Sequence, residues 1–468
     1  MQKENQETNK KELPLILALL PILTVIIMGL LSVLNFKAGM NIPIMSGIIA
    51  AAIVGKANGL KWAELQKSLV DGVSRALPAL FIVMIIGLII GSWIQGGVIP
   101  ALIYYSLKTI SPAIFIPTAC FVTAIVAVAT GTSFASIATV GLALMATGVG
   151  MGFPPPLLAG AIISGAYFGD SISPLSDTTN LASALSGCTL FELLSHLTKT
   201  GIPALMISLV VYYIVGAKNA VGGGANLETI ENIIEGLSTN FTITPLLLLI
   251  PLLTILFSIK KLPAIPSLIM VAGLGGLAAI FIQGSEIGSV IRTMTNGFVS
   301  ETGNEMIDSL LTRGGINSMG GTVILLTTAT AFGGILERIG SLDTLLNLIM
   351  KKVNSVGSLV LATVLSGLTV AFATGAQLLA IVIPARMFGQ AYKEKNLHPK
   401  NLARVSQSIG TICINLVPWS VPALFAQNIL GVDAVKFIPY IFFAYITLAI
   451  NLIYGYTGFT MERIKDQT

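Results

Sequence analysis

From Leu13 to Phe36 the chain runs for 24 residues, "LPLILALLPILTVIIMGLLSVLNF", with no charged side chain. About 20 such residues suffice to cross the ~30 Å hydrocarbon layer of a bilayer. Comparable runs recur near 77–95, 112–130, 200–216, 243–259, 266–283, 321–337, 356–374 and 436–455. Shorter apolar pieces lie near 40–55, 134–150, 155–168, 375–388, 402–417 and 419–430. Lipid offers the backbone no hydrogen-bond partners, so runs of this kind cross it as helices that satisfy themselves. Only 10% of the chain is charged, against about 25% in soluble domains. The expected fold is therefore an all-α polytopic membrane protein, a single transport domain over 1–468. It has roughly 11–13 membrane elements, some of them half-helices.

The first run lacks an A-x-A-like cleavage site and reads as a retained helix rather than a signal peptide. The formal charge of +5 is spread in short clusters between apolar runs. That pattern fits the excess of Lys and Arg in cytoplasmic loops and not a nucleic-acid footprint. Lys56, Lys61, Lys67 and Arg75 then mark a cytoplasmic segment, and Lys3, Lys10 and Lys11 a cytoplasmic N-terminal tail, 1–12. Arg463 and Lys465 put the tail 456–468 on the same side. Cys120, Cys188 and Cys413 are too far apart for a metal site or a disulfide framework.

A shift of 244 residues lays "VAVATG" (126–131) on "VAFATG" (370–375). Without a gap it also brings Pro155 to Pro399, Leu158 to Leu402, Pro174 to Pro418 and Ser176 to Ser420. The expected organisation is a first repeat half, 40–216, a linker, 217–240, and a second half, 241–455. Repeats with helices interrupted at corresponding places mark secondary transporters. An odd number of crossings per half would make the two inverted.

The chemistry concentrates in "GAYFGDSISPLSDTTNLAS" (165–183). A carboxylate at the bilayer centre costs about 2.5–3.5 kcal/mol even on the permissive insertion scale, so Asp170 and Asp177 need a reason to be there. Pro174 breaks the helix and frees carbonyls beside Ser173, Ser176, Thr178, Thr179 and Asn180. Such an oxygen-rich pocket suits a hard cation. Burial favours the protonated form of a carboxylate and a bound cation the ionised form, so one group can exchange Na⁺ for H⁺. Asp177 is the expected shared carboxylate, with Thr178 and Asn180 as sodium ligands and Thr179 close by. Asp170 is a second proton carrier or a neighbour that tunes it. The same residues also read as helix caps.

A second polar break, "ATGTSFASIATVG" (129–141), adds Thr130, Thr132 and Ser133, which equally suit close packing of small residues. Its partner in the second half offers Gln377, and "TICINLVPWSVPALF" (411–425) offers Asn415 and Ser420 but no carboxylate. No nucleotide-binding loop and no nucleophile–base pair at helical spacing is present, so neither ATP-driven transport nor an enzyme is expected.

"GDSISPLSDTTNLASALSG" together with "GTSFASIATVG" resembles the NhaC-type sodium/proton antiporters of bacteria. Many relatives carry Lys after the Gly-Asp, where this chain has Ser171. The resemblance implies a multi-pass protein of the bacterial inner (cytoplasmic) membrane, with both termini cytoplasmic. It works in the lipid bilayer on Na⁺ and H⁺, without a cofactor, and a homo-oligomer is compatible with it. One branch of that family exchanges malate plus protons for lactate plus sodium. Such a carrier needs a cationic grip for carboxylates, for which Arg338, Arg386 and Arg404 are the candidates.

Overall fold

The computed structural model describes residues 13–464 except 37, 110, 223–226, 261 and 352. The tail assigned to 1–12, part of the linker and Lys465 lie outside the described residues. Among these the chain is helical, with only two isolated β-bridges, Phe298 to Arg313 and Leu397 to Arg463. Six helices are long and apolar enough to cross a membrane, or nine if three bent pairs each count as one span. Four shorter apolar helices lie beside them.

Two segments depart from the sequence expectation. The Trp62–Gln95 helix starts well before the apolar run at 77, because Leu65, Ser68 and Gly72 are already buried. Glu64 caps its start by accepting from the Lys61 N–H at 2.9 Å. Arg75 therefore sits on a helix and not in a loop, and its guanidinium pairs with Glu337 at 2.8 Å. Most of 217–240 is helical too. The Leu190–Gly222 helix runs on into it, and Leu227–Asn240 is a helix of its own. That second helix buries Ile233 and Leu237, four residues apart, in the main core.

Small residues set how closely the helices cross, as expected where lipid gives no hydrophobic drive for association. A Cβ added to Gly165 would lie 2.0 Å from the Cys120 carbonyl oxygen, and one on Gly169 would lie 2.4 Å from that of Ala124. The Pro155–Ile172 helix thus lies backbone-to-backbone on Phe115–Thr130. Asp170, one residue past Gly169, is carried by that contact to the polar break at 131–133.

The 244-residue shift places breaks on breaks. Phe115–Thr130 and Val356–Thr374 end at Gly131 and Gly375, with φ of 71° and 61°, which favours glycine. Pro155 and Pro399 each open a helix. Asp177–Ser186 falls on Val421–Leu430, capped by the Ser176 and Ser420 hydroxyls and closed by Gly187 and Gly431. Even the carbonyls freed at the first break correspond. Ser173 Oγ donates to Val128 O at 2.8 Å, and Trp419 Nε1 donates to Phe372 O at 2.8 Å.

The tight crossing predicts that Gly165→Ala destabilises the protein by about 1–3 kcal/mol through overpacking. Gly273→Ala, in a helix with nothing within 4 Å of the added methyl, should be neutral or stabilise by under about 1 kcal/mol. Thermal unfolding in detergent checks the pair; equal effects would refute the packing account.

Candidate functional site

Asp170 is buried at the end of the Pro155–Ile172 helix, and three donors converge on its carboxylate. Ser133 donates from its backbone N–H at 3.1 Å and its hydroxyl at 2.7 Å, both to Oδ2. Ser176 Oγ donates to Oδ1 at 2.6 Å. All three donors come from helix starts. Ser133 opens Ser133–Gly150, so its N–H has no carbonyl within the helix, and Ser176 is the N-cap of Asp177–Ser186. The two breaks, at 131–133 and 173–176, are thus tied together through one carboxylate.

Asp177 is placed differently. It is exposed, makes no hydrogen bond among the described residues, and lines two cavities of about 410 and 540 Å³. The first is also lined by Thr132, Ser133, Asp170, Thr178, Gln377, Val421 and Arg75. The second is lined by Thr130, Thr132 and Asn180 among others. The sequence reading treated Asp177 and Asp170 as a pair, and both do face the first cavity. They differ in freedom: one is held by three hydrogen bonds and the other by none.

The remaining predicted residues divide into ligands and braces. Thr130 Oγ1 lies 3.2 Å from Ser136 Oγ and bridges the first break. Asn180 Nδ2 donates to the carbonyls of Pro174 and Ser176 at 3.1 and 2.8 Å, so it braces the loop while facing the second cavity. Thr179 is buried and donates to Ser171 O at 3.0 Å. Gln377 reaches the first cavity from the second half. Ser420 is an N-cap, accepting from the Ala423 N–H at 3.2 Å, and lines neither cavity. Asn415 is buried and donates to the Thr411 and Ile412 carbonyls at 3.3 and 3.1 Å. Among the described residues no cluster of three His, Cys, Asp or Glu could hold a metal ion.

Two residues at or beside the cavities carry no signal strong enough to single them out in the sequence. Gln407, fully buried on Pro399–Gln407, donates through Nε2 to Thr178 Oγ1 at 3.0 Å and to Thr179 Oγ1 at 2.8 Å. Its signal was a polar triplet, Ser406-Gln407-Ser408, inside an otherwise apolar run. Arg75 lines the first cavity, whereas Arg338, Arg386 and Arg404 line neither. Arg338 pairs with Glu64. Arg404 is buried, with its guanidinium on Thr460 Oγ1 at 2.7 Å and over the Tyr454 ring.

Arg404 and Gln407 share a short helix that the C-terminal segment straps down. The Glu462 carbonyl accepts from the His398 N–H at 2.9 Å and from Asn401 Nδ2 at 2.7 Å. Its carboxylate takes Lys199 at 2.8 Å and also Lys400. Those two ammonium groups hold the Glu462 carboxyl well below its usual range, at about 2.

Residues 8–179 and 165–459 match the model of the Na⁺/H⁺ antiporter family. The Na⁺/H⁺ antiporter NhaC of Alkalihalophilus pseudofirmus is 34% identical over 443 residues, 94% of this chain and 95% of that protein. NhaC of Bacillus subtilis is 35% identical over 450 residues, 96% of this chain and 98% of that protein. The malate-2H⁺/Na⁺-lactate antiporter of Bacillus subtilis is 34% identical over 450 residues, 95% of this chain and 96% of that protein.

A depressed carboxylate contributes stability above its unfolded pKa of about 4.5 and loses it only as pH falls toward about 2. Proteolysis of the C-terminal strap should therefore be equally slow from about pH 9 to 5. Glu462→Gln should speed it at every pH in that window. A cutting rate that climbed steadily between pH 9 and 6 would show that Glu462 is not the latch.

Proposed function

The chain belongs to the Na⁺/H⁺ antiporter family, and we propose that it exchanges sodium for protons across the bacterial cytoplasmic membrane with Asp177 as the exchanging carboxylate. One observation carries this reading: Asp177 is a partnerless carboxylate shared by two cavities, next to Thr178 and facing a second, fixed carboxylate. A free carboxylate can take Na⁺ or H⁺ from either cavity, and the two exclude each other. Asp170, held by Ser133 and Ser176, supplies fixed negative charge and keeps the breaks in register. Thr178, Thr132 and Asn180 offer neutral oxygens around the cation. The reading involves no cofactor.

The two halves, 40–216 and 241–455, act in this reading as repeats that rock about the breaks to expose Asp177 to one side at a time. The coincidence of helix ends at a 244-residue shift supports that division. Both termini are cytoplasmic in this reading. The membrane potential contributes ~2.3 kcal/mol per net charge per 100 mV, so any excess of protons over sodium would be driven by it.

A second reading has a specific observation behind it. The 410 Å³ cavity far exceeds a sodium ion, and Arg75 lines it together with the two carboxylates. Pockets of about 300–1,000 Å³ hold small molecules, and a relative is named for malate and lactate. In this reading Arg75 leaves Glu337 to grip an organic carboxylate.

Everted vesicles with a pH-sensitive dye test both readings. Added NaCl should make the wild-type lumen alkaline, and Asp177→Asn should abolish the response. Asp170→Asn should weaken the apparent Na⁺ affinity about tenfold or more, the worth of a lost charged hydrogen-bond centre. A full response in Asp177→Asn would remove the shared carboxylate. A Na⁺ response that needs lactate, and that Arg75→Gln destroys, would favour the organic-acid reading.

A further inference from the structure

The hydroxyl protons around the site fix the orientation of the Gln407 amide. An amide's oxygen and nitrogen are distinguished by their hydrogen-bond partners. Thr179 spends its only proton on Ser171 O at 3.0 Å. Ser176 spends its own on Asp170 Oδ1 at 2.6 Å, so Thr178, 3.0 Å away, donates to Ser176 Oγ. Neither threonine has a proton left for Gln407, so the atom facing both must be the donor, Nε2. The amide oxygen Oε1 then points elsewhere, buried and without a hydrogen-bond partner. Side-chain carbonyls are seldom left in that state.

We propose that Gln407 is a cation ligand held in reserve: its N–H groups cap the Thr178 and Thr179 oxygens, and a half-turn of the amide brings its unpartnered oxygen onto sodium. A cation and an amide N–H cannot share the same hydroxyl lone pairs, because both bring positive charge. Thr178 Oγ1 keeps a second lone pair for sodium, and an ion bound there favours turning the positive Gln407 N–H groups away. A half-turn of the amide does this and replaces two competing donors with one more oxygen ligand, in line with the preference of hard cations for carbonyl oxygen. Gln407 belongs to the second half and both threonines to the first, so the turn also changes the contact across the two halves when sodium binds.

This inference rests on the sodium site at Asp177 and Thr178, and its test separates the two. Binding of ²²Na⁺ to the purified full-length chain in detergent, at one pH and without a gradient, should weaken at least tenfold in Gln407→Leu. Infrared difference spectra of the wild type with ¹³C-labelled glutamine, recorded with and without Na⁺, should show a side-chain carbonyl band moving to lower frequency, absent in the variant. The wild-type spectrum needs no variant to fold. Weaker binding with no sodium-induced carbonyl shift would make Gln407 a positioning residue only and overturn the proposal. Unchanged binding in Gln407→Leu, with binding lost in Asp177→Asn, would overturn the proposal and leave the site intact. Unchanged binding in Asp177→Asn would overturn both.

Discussion

Everything at the centre of this protein depends on keeping the Asp170 carboxylate satisfied away from water. A buried carboxyl group must be hydrogen-bonded, and a continuous helix has no backbone donor to spare. The chain supplies donors by breaking helices. Ser133 and Ser176 stand at helix starts, where an N–H and two hydroxyls are free to turn inward. The glycines that let Pro155–Ile172 lie on the Phe115–Thr130 backbone bring the carboxylate within their reach. Packing, helix interruption and the carboxylate thus meet in one arrangement.

Against that fixed carboxylate, its neighbour has a different role. Asp177 begins a helix, yet no side chain holds its carboxylate among the described residues. It opens onto two cavities that also share Ile82, Gly131, Thr132 and Phe134. Beside the shared wall, Phe134 stacks on Phe425 with ring centroids 4.2 Å apart. Thr178, next to Asp177, is hydrogen-bonded to Gln407.

Much of this was legible in the amino-acid order. Long uncharged runs dictate membrane helices, and Pro174 amid hydroxyls marks a break, because those signals act locally. Asp170 and Asp177 were recognisable as a pair for the same reason. Their contrasting environments were not, since these depend on whether Ser133, 37 residues away, arrives at one or the other. Arg75 looked like a loop charge because the apolar run begins after it; tertiary burial of Leu65 and Gly72 extends the helix back past it. Gln407 was missed because its partners lie 228 and 229 residues distant. Arg338, Arg386 and Arg404 were candidates for a carboxylate grip if an organic acid is carried, but a basic residue in sequence gives no hint that Thr460 folds back to cover Arg404.

The Val128 and Phe372 carbonyls are capped by groups of very different bulk. At the first break a serine hydroxyl closes the exposed Val128 oxygen, and it can let go by rotation about a single bond. At the second, the Phe372 oxygen is held by an indole whose ring is wedged edge-on against that same phenylalanine, 5.6 Å between centroids. One joint is latched by a light swivel and the other by a bulky bolt. The lighter joint, beside the two acids, is therefore the one that releases its carbonyl with less rearrangement of its neighbours.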